Sequence, residues 1–330
     1  MAFQRLPESV QTLYAELLDQ VIQAEAEAAA LEAPQGSFVS KSIKGKTYWY
    51  LQRVEGGRKR QQYLGRESTA LLAWIEGARE ARDRLAADAG QRARLCSMLV
   101  AGGAVAESAT AVRVLSLIAQ AGVFRMGGIL VGTQAFSAYG NMLGVRFEQQ
   151  ALRTQDIDIG IALSVKTEPL NVERSLNGSV STSFKIRGRD LRVDFLTPLL
   201  GRDSEEPVFL PALGVAAHPL RFLDYLIESP AQAAIVGLDG ILVNVPDPAR
   251  FALHKLLISQ RRPVSEQTKA AKDLRQAGAL IEVLLQDRPG DLPIAWEALH
   301  HSPAAVKAVR AAIDRLPVEL KGRLEGATPA

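Results

Sequence analysis

The hydrophobic positions in the first third of the chain change their spacing twice. From residue 7 to about residue 33 they recur every three or four residues, which predicts an amphipathic helix. The next apolar runs are short and separated by glycine-containing turns, which predicts strands, and helical spacing then returns. The strands are expected at residues 38–43, 47–54 and 58–64, and the second helix at 67–88. We therefore expect residues 1–95 to form a helix, a small antiparallel meander and a second helix.

Beyond residue 96 short apolar runs alternate with helical spacing, and after residue 246 only helical spacing is left. The run at residues 127–132 is continuously apolar, as expected for a strand buried on both faces. Other strands are expected at 155–163, 183–186, 191–196, 208–213 and 240–245, and helices at 104–121, 134–139, 249–259, 266–285, 296–300 and 303–316. The pattern predicts an α+β protein with a mixed sheet and flanking helices over residues 96–245. A helical C-terminal region over residues 246–330 completes it, with residues 322–330 expected to be frayed.

The composition of the chain says more about the cellular compartment of the protein than about its function. The 330 residues are 47% hydrophobic and 23% charged, which is typical of a globular protein. A single cysteine, Cys96, excludes an intramolecular disulfide and suits a reducing environment. The first residues lack the pattern of a signal peptide, and the longest apolar region is interrupted by arginines and glycines. We expect a cytoplasmic protein without a membrane segment.

Two carboxylates lie two residues apart in the predicted strand at residues 155–163. Because side chains alternate along a strand, Asp156 and Asp158 should share one face, with Ile157 and Ile159 directed into the core. Two neighbouring acids repel each other unless a cation lies between them, and Mg²⁺ favours oxygen ligands. Taken alone, the two acids fit a metal site and a solvent-exposed strand face equally well.

Two further features bear on this pair. Gly132-Thr133 lies at a predicted strand-to-helix turn, where a phosphate could approach a helix N-terminus beside a hydroxyl. Taken alone, the glycines there more often serve packing. Asp194 lies in another apolar strand, Arg-Val-Asp-Phe-Leu, and would add a third acid as metal ligand or base. As a single residue, Asp194 would more often be a paired surface acid.

In chain order, a Gly-Thr turn, an Asp-x-Asp strand and a later apolar-Asp-apolar strand resemble the nucleotidyltransferase fold of the DNA polymerase β superfamily. The resemblance implies that Asp156, Asp158 and Asp194 are catalytic and bind Mg²⁺ or Mn²⁺. It also implies that Gly132 and Thr133 contact the phosphates of ATP or another NTP. The first motif departs from the usual Gly-Gly or Gly-Ser, but Thr133 retains the hydroxyl.

Downstream residues extend the resemblance to AbiEii-like and related bacterial nucleotidyltransferases. Pro246-Asp247-Pro248 precedes His254-Lys255-Leu256-Leu257, and Lys272-Asp273-Leu274 follows. By resemblance, Lys255 would bind the triphosphate. Arg153, three residues before Asp156, would neutralise phosphate or form a salt bridge with an acid. Lys255 could equally be a helix-surface lysine, and Asp273 is expected to be structural. AbiEii-like relatives act as toxins, so the resemblance also implies a role in a toxin–antitoxin pair. The N-terminal segment, with Tyr48-Trp49-Tyr50 and residues 60–65, resembles the start of uncharacterised bacterial nucleotidyltransferase-like proteins.

Residues 41–66 carry most of the local excess of positive charge. This segment contains eight basic residues and one acid, Glu55, and tyrosine and tryptophan residues lie between the basic ones. One hypothesis is that this meander binds RNA, such as a tRNA end, through phosphates and unpaired bases. The alternatives are that Tyr48, Tyr50 and Tyr63 pack beneath the meander, or that the segment contacts a protein partner.

The sequence therefore predicts a metal-dependent enzyme that moves an NMP from an NTP to a hydroxyl acceptor. The acceptor could be an RNA or tRNA end, a protein or a small molecule. The alternative hypothesis is a non-catalytic nucleic-acid-binding protein that retains the nucleotidyltransferase fold.

Overall fold

The computed structural model describes most of the chain. The described residues are 3–30, 36–55, 58–148, 156–162, 182–185, 191–199, 201–202, 206–211 and 213–328.

The N-terminal part contains the predicted helix, meander and helix. Its elements are β1 (Phe3–Arg5), α1 (Glu8–Ala30), β2 (Ser37–Ile43), β3 (Lys46–Glu55), β4 (Arg58–Arg66) and α2 (Thr69–Ala101). Strands β2, β3 and β4 form an antiparallel sheet in that order. Lys44 and Gly45 both have positive φ angles, which suits the tight two-residue turn between β2 and β3.

Helix α2 is longer than predicted. It ends at Ala101 instead of near residue 88, because buried side chains continue at helical spacing through Arg92, Cys96 and Leu99. The predicted domain boundary between residues 95 and 96 falls inside this helix.

The central part alternates strands and helices. Its elements are α3 (Ala109–Gln120), β5 (Ile129–Val131), α4 (Gly132–Met142), β6 (Val145–Phe147), β7 (Asp156–Gly160), β8 (Ser183–Lys185), β9 (Arg192–Pro198), β10 (Val208–Leu210), β11 (Val215–Leu220), α5 (Leu223–Ile227), β12 (Ala231–Ile235) and β13 (Ile241–Val245). A six-stranded sheet has the order β10-β11-β9-β7-β5, with β8 also paired to β9. Strands β7, β9 and β11 run parallel, and the other pairings are antiparallel. The mixed sheet with flanking helices confirms the predicted α+β class.

The C-terminal part is helical, as predicted. It contains α6 (Pro248–Arg261), α7 (Gln267–Asp287), α8 (Asp291–Leu299), α9 (Pro303–Ile313) and α10 (Val318–Ala327). Helix α6 begins with Asp247 as its N-cap, whose carboxylate accepts hydrogen bonds from the backbone N–H groups of Ala249 and Arg250. Helix α10 was not predicted, and it covers part of the segment that was expected to be frayed.

The N-terminal helix packs onto the central part of the chain. Leu17 and Val21 of α1 lie in a core cluster with Ala234 and Val236. The buried Tyr14 hydroxyl accepts a hydrogen bond from the N–H of Ala234. Helix α1 is therefore held against the strand pair β12–β13.

Over the part of the chain that the structure describes, no helix combines the length and the apolar character needed to cross a membrane.

Candidate active site

The turn between β5 and α4 requires glycine for two reasons. Gly132 has a φ angle of +67°, a conformation that residues with a Cβ atom rarely adopt. A Cβ atom at this position would also overlap the Oδ2 atom of Asp158. The missing side chain therefore lets the Asp158 carboxylate lie against the first turn of α4.

Strand register brings the predicted acids together. Val131, the last residue of β5, lies opposite Asp158 in β7, and Asp158 lies opposite Asp194 in the parallel strand β9. Adjacent strands are about 4.8 Å apart, so the two carboxylates are direct neighbours on one face of the sheet. Asp156 lies two residues earlier on the same face and is exposed. Ile157 and Ile159 are fully buried on the opposite face, as the alternation predicts.

The environment of Asp158 disfavours its charged form. Burial is the main cause, and the neighbouring carboxylates of Asp194 and Asp156 add to it, raising the pKa of Asp158 to about 6. Lys255 and Lys272 act in the opposite direction. A cation at this position would relieve the repulsion among the three acids.

The lysine that reaches the Gly-Thr turn is Lys272 of α7. Its Nζ atom donates a hydrogen bond to the Thr133 hydroxyl over 3.1 Å. Burial, with the positive charge of Lys255 nearby, lowers the pKa of Lys272. From sequence, the Lys272-Asp273 pair is part of the family resemblance, but no role could be assigned to Lys272. Its helical setting gave no sign that α7 returns to the turn at Thr133.

Lys255, the lysine selected from sequence, lies in a buried ion-pair network. Its Nζ atom is 2.7 Å from Oδ1 of Asp273, which is only 2% exposed. Arg262 donates to the other oxygen of the same carboxylate over 3.0 Å. This ion pair links α6 to α7 through Asp273, as expected of a structural acid, while the charge of Lys255 still acts on the Asp158 carboxylate. The predicted contact of Lys255 with the triphosphate stays a prediction.

Arg153 lies outside the described residues, so its predicted contact with phosphate stays a prediction.

The donor set suits a hard divalent cation that shares its coordination with substrate. Among the described residues, no group of three acidic, histidine or cysteine side chains is arranged to hold a metal by itself. Mg²⁺, however, is usually held by one or two carboxylates together with phosphate oxygens and water. Asp158 and Asp194, which face each other across adjacent strands, could supply those carboxylates, with Asp156 beside them.

His254, next to Lys255 in α6, links stability to pH. Burial lowers the pKa of His254 to about 3, and the positive charges of Lys255 and, to a smaller extent, Arg262 add to this effect. The charge of Asp273 acts in the opposite direction. A histidine with a depressed pKa stays neutral in the folded protein, whereas the unfolded chain takes up a proton below about pH 6.5. The free energy of unfolding is therefore expected to fall as the pH drops below 6.5, by about 2 kcal/mol at pH 5 from this residue alone.

Urea unfolding of the wild type and of His254→Gln between pH 5 and pH 7.5 measures this contribution. The variant should show a shallower loss of stability over that range. Equal pH slopes in the two proteins would mean that His254 is not buried in its neutral form.

Comparison with known families gives the class of the protein. Residues 109–300, more than half of the 330-residue chain, match the model of a family described as nucleotidyltransferase. The chain belongs to this nucleotidyltransferase family. The matched region contains the Gly132 turn, the acids of β7 and β9, and both lysines. The protein is therefore an enzyme that transfers phosphorus-containing groups, as predicted, and its family points to an NTP substrate.

Two other results complete the comparison. Residues 11–73, which span most of α1, the N-terminal sheet and the start of α2, match a family described as a domain of unknown function. The nucleotidyltransferase matches no curated protein and no solved structure.

Proposed function

We propose that the protein is a metal-dependent enzyme that transfers an NMP from an NTP to a hydroxyl acceptor and releases pyrophosphate. The observation that carries the proposal is the facing pair Asp158 and Asp194 beside the Gly132 turn, within the segment that matches the family. The class of reaction needs acidic groups close to a phosphate cradle, and these residues supply both.

Each group has a chemical task in this proposal. The acceptor oxygen forms a bond to the α-phosphorus while the bond from that phosphorus to the bridging oxygen of the β-phosphate breaks. The proton of the acceptor hydroxyl passes to the carboxylate of Asp194, and pyrophosphate leaves with the bonding electrons. Mg²⁺ or Mn²⁺, held by Asp156, Asp158 and Asp194, would supply charge neutralisation at the phosphates.

The triphosphate would lie at the start of α4. Gly132 leaves room for a phosphate to approach the backbone, and the helix N-terminus favours negative charge. The Thr133 hydroxyl and the Nζ atom of Lys272, already in contact, would both turn to phosphate oxygens. Lys255, whose charge acts on the Asp158 carboxylate, would also help to hold the triphosphate, and Arg153 would add positive charge.

Within the broader class, we propose membership of the DNA polymerase β superfamily, with AbiEii-like enzymes as relatives. The order of the Gly-Thr turn, the Asp-x-Asp strand and the Asp194 strand supports it, since all three motifs meet in one mixed sheet. The acceptors considered are an RNA or tRNA end, a protein and a small molecule. A toxin-like role in a toxin–antitoxin pair follows from the same resemblance.

Transfer can be tested with two positions of label. The purified protein is incubated with Mg²⁺, a cell extract and each NTP labelled at the α- or the γ-phosphate. The α-label should appear on an acceptor, and the γ-label should appear only in pyrophosphate. Transfer of the γ-label to the acceptor would identify a kinase reaction and reject the proposal, and so would the absence of transfer with every NTP.

Lys272→Met should raise the KM for NTP by about 10- to 100-fold, because a charge-assisted contact to phosphate is lost. Lys269→Met is the matched control, since Lys269 lies on the same helix, is exposed and pairs with Glu266. Steady-state kinetics of both variants give the comparison. Equal KM values for Lys272→Met and the control would show that Lys272 does not bind the NTP.

A further inference from the structure

The sheet formed by β2, β3 and β4 has one covered face and one open face. The covered face is turned toward α2. Phe38 packs edge-on against Trp74 of α2, with ring centroids 5.5 Å apart, and Arg79 of α2 lies over the Trp49 ring. Leu51 on this face is fully buried. Leu51, the one fully buried residue among the described residues of this sheet, thus lies on the side of α2.

The open face carries three tyrosines, contrary to the interpretation that they pack beneath the meander. Register places Tyr50 opposite Tyr63, and their ring centroids are 5.5 Å apart. Tyr48 lies on the same face, and its ring centroid is 6.3 Å from that of Tyr63. Tyr63 is 56% exposed, and Tyr48 and Tyr50 are half-buried. Three adjacent aromatic rings therefore share one face of the sheet, and the Tyr63 ring is largely exposed there.

Basic side chains surround these rings. By register, Lys41 lies beside Tyr48, and Arg66 lies on its other side. The Nζ atom of Lys41 is 4.8 Å from the centroid of the Tyr50 ring. Lys46 and Lys59 occupy the same face, toward opposite ends of β3. Four of the eight basic residues in segment 41–66 therefore share the tyrosine face, which gives this face a positive potential.

We propose that the open face of the N-terminal sheet binds an unpaired stretch of nucleic acid. The phosphates would pair with Lys41, Lys59 and Arg66, and successive bases would stack on Tyr63 and its tyrosine neighbours. Rings on a sheet surface reach bases only when these are unstacked, so a single strand fits this face better than a duplex. The charge of the face fits a polyanion, and the accessible rings distinguish a nucleic acid from an acidic protein. This binding does not depend on the proposed donor site.

Fluorescence anisotropy with labelled oligonucleotides of about 12 nucleotides tests the proposal. The full chain is used without NTP or divalent metal, so failure of the proposed transfer reaction would leave this result unaffected. Single-stranded RNA, single-stranded DNA and an RNA duplex are compared, and both single strands should bind more tightly than the duplex. The ratio of the RNA and DNA affinities shows which strand is preferred.

Tyr63 is the decisive ring, because it is exposed and its replacement should not disturb folding. Tyr63→Ala should weaken binding of the single strand by about tenfold, the loss expected for one stacked base, whereas Tyr63→Phe should retain the affinity within about twofold. Circular dichroism confirms that both variants are folded. Equal affinities of Tyr63→Ala and wild type would overturn the proposal.

Charge is tested separately from stacking. The triple variant Lys41→Gln, Lys59→Gln and Arg66→Gln should lower the slope of log K against log salt by about 2, since each phosphate contact to a single strand contributes about 0.7. The control replaces three exposed basic residues of the C-terminal region by Gln: Lys307, Arg315 and Arg323. Equal slopes for the two triple variants would contradict the proposal. Displacement of the RNA by polyglutamate at equal charge concentration would also contradict it and indicate an acidic protein partner.

Discussion

Asp158→Asn is expected to lower nucleotidyl transfer by about 1,000-fold or more while the protein stays folded. Such a loss corresponds to about 4 kcal/mol of transition-state stabilisation, the size expected when a metal-binding carboxylate is removed. The same change should leave the melting temperature unchanged or raise it in metal-free buffer. The reason is that Asn removes a buried charge that Asp194 and Asp156 repel.

Melting curves and label transfer, measured on the same preparations, test this combination. Asp224→Asn serves as the control, because Asp224 is an exposed acid of α5. It should retain wild-type activity. If Asp158→Asn transferred nucleotide at the wild-type rate, Asp158 would have no part in catalysis. A markedly lower melting temperature would instead assign it a structural role.

Lys255→Met is expected to destabilise the protein by about 3 kcal/mol. Removal of one partner from a buried ion pair leaves an uncompensated charge, which typically costs about 3–5 kcal/mol. Here Arg262 still donates to Oδ2 of Asp273, so the loss should lie at the lower end of that range. Chemical denaturation monitored by circular dichroism measures the change in the free energy of unfolding.

The double variant Lys255→Met and Asp273→Leu separates this effect from simple loss of packing. It removes both buried charges, and Arg262 keeps its bond to Glu266. Stability should therefore recover by at least about half of the loss, because a buried pair can often be replaced by apolar residues at little cost. If the double variant were less stable than Lys255→Met, the network would not be centred on Asp273.

The strand that carries Asp156 and Asp158, and the face that these acids share, could be predicted from sequence because the pattern is local. The alternation of Asp and Ile in β7 defines both a face and a core side, and the structure has the same alternation. The position of Gly132 could also be found, since a glycine at a strand-to-helix turn is a local signal. That Asp158 lies against that glycine was not predictable, because the contact depends on the register between β5 and β7.

The contacts of Lys255 and Lys272 could not be predicted from the sequence. Lys255 and Lys272 both lie in helices with similar patterns, and sequence alone favoured Lys255. Their tertiary contacts differ: Lys255 pairs with the buried Asp273, and Lys272 donates a hydrogen bond to Thr133. Both contacts require the packing of α7 against α6 and its approach to α4, which no short-range pattern encodes.

Several strands were missed for a related reason. Strand β11 contains two alanines and Pro219, and β12 has the sequence Ala-Gln-Ala-Ala-Ile, so neither has the composition of a typical strand. Strands β1 and β6 have three residues each and pair with one another across more than 130 residues of sequence. These strands are formed by their partners in the fold and not by local propensity.

The most direct test of the donor site needs no acceptor. The affinity for a non-hydrolysable NTP is measured by calorimetry in the presence of Mn²⁺, for the wild type, Asp194→Asn and Asp224→Asn. If Asp194 and its neighbours hold the metal and triphosphate, Asp194→Asn should weaken binding by about 100-fold or more, while Asp224→Asn binds as the wild type does. Equal affinities for all three proteins would contradict a metal–nucleotide site at these acids.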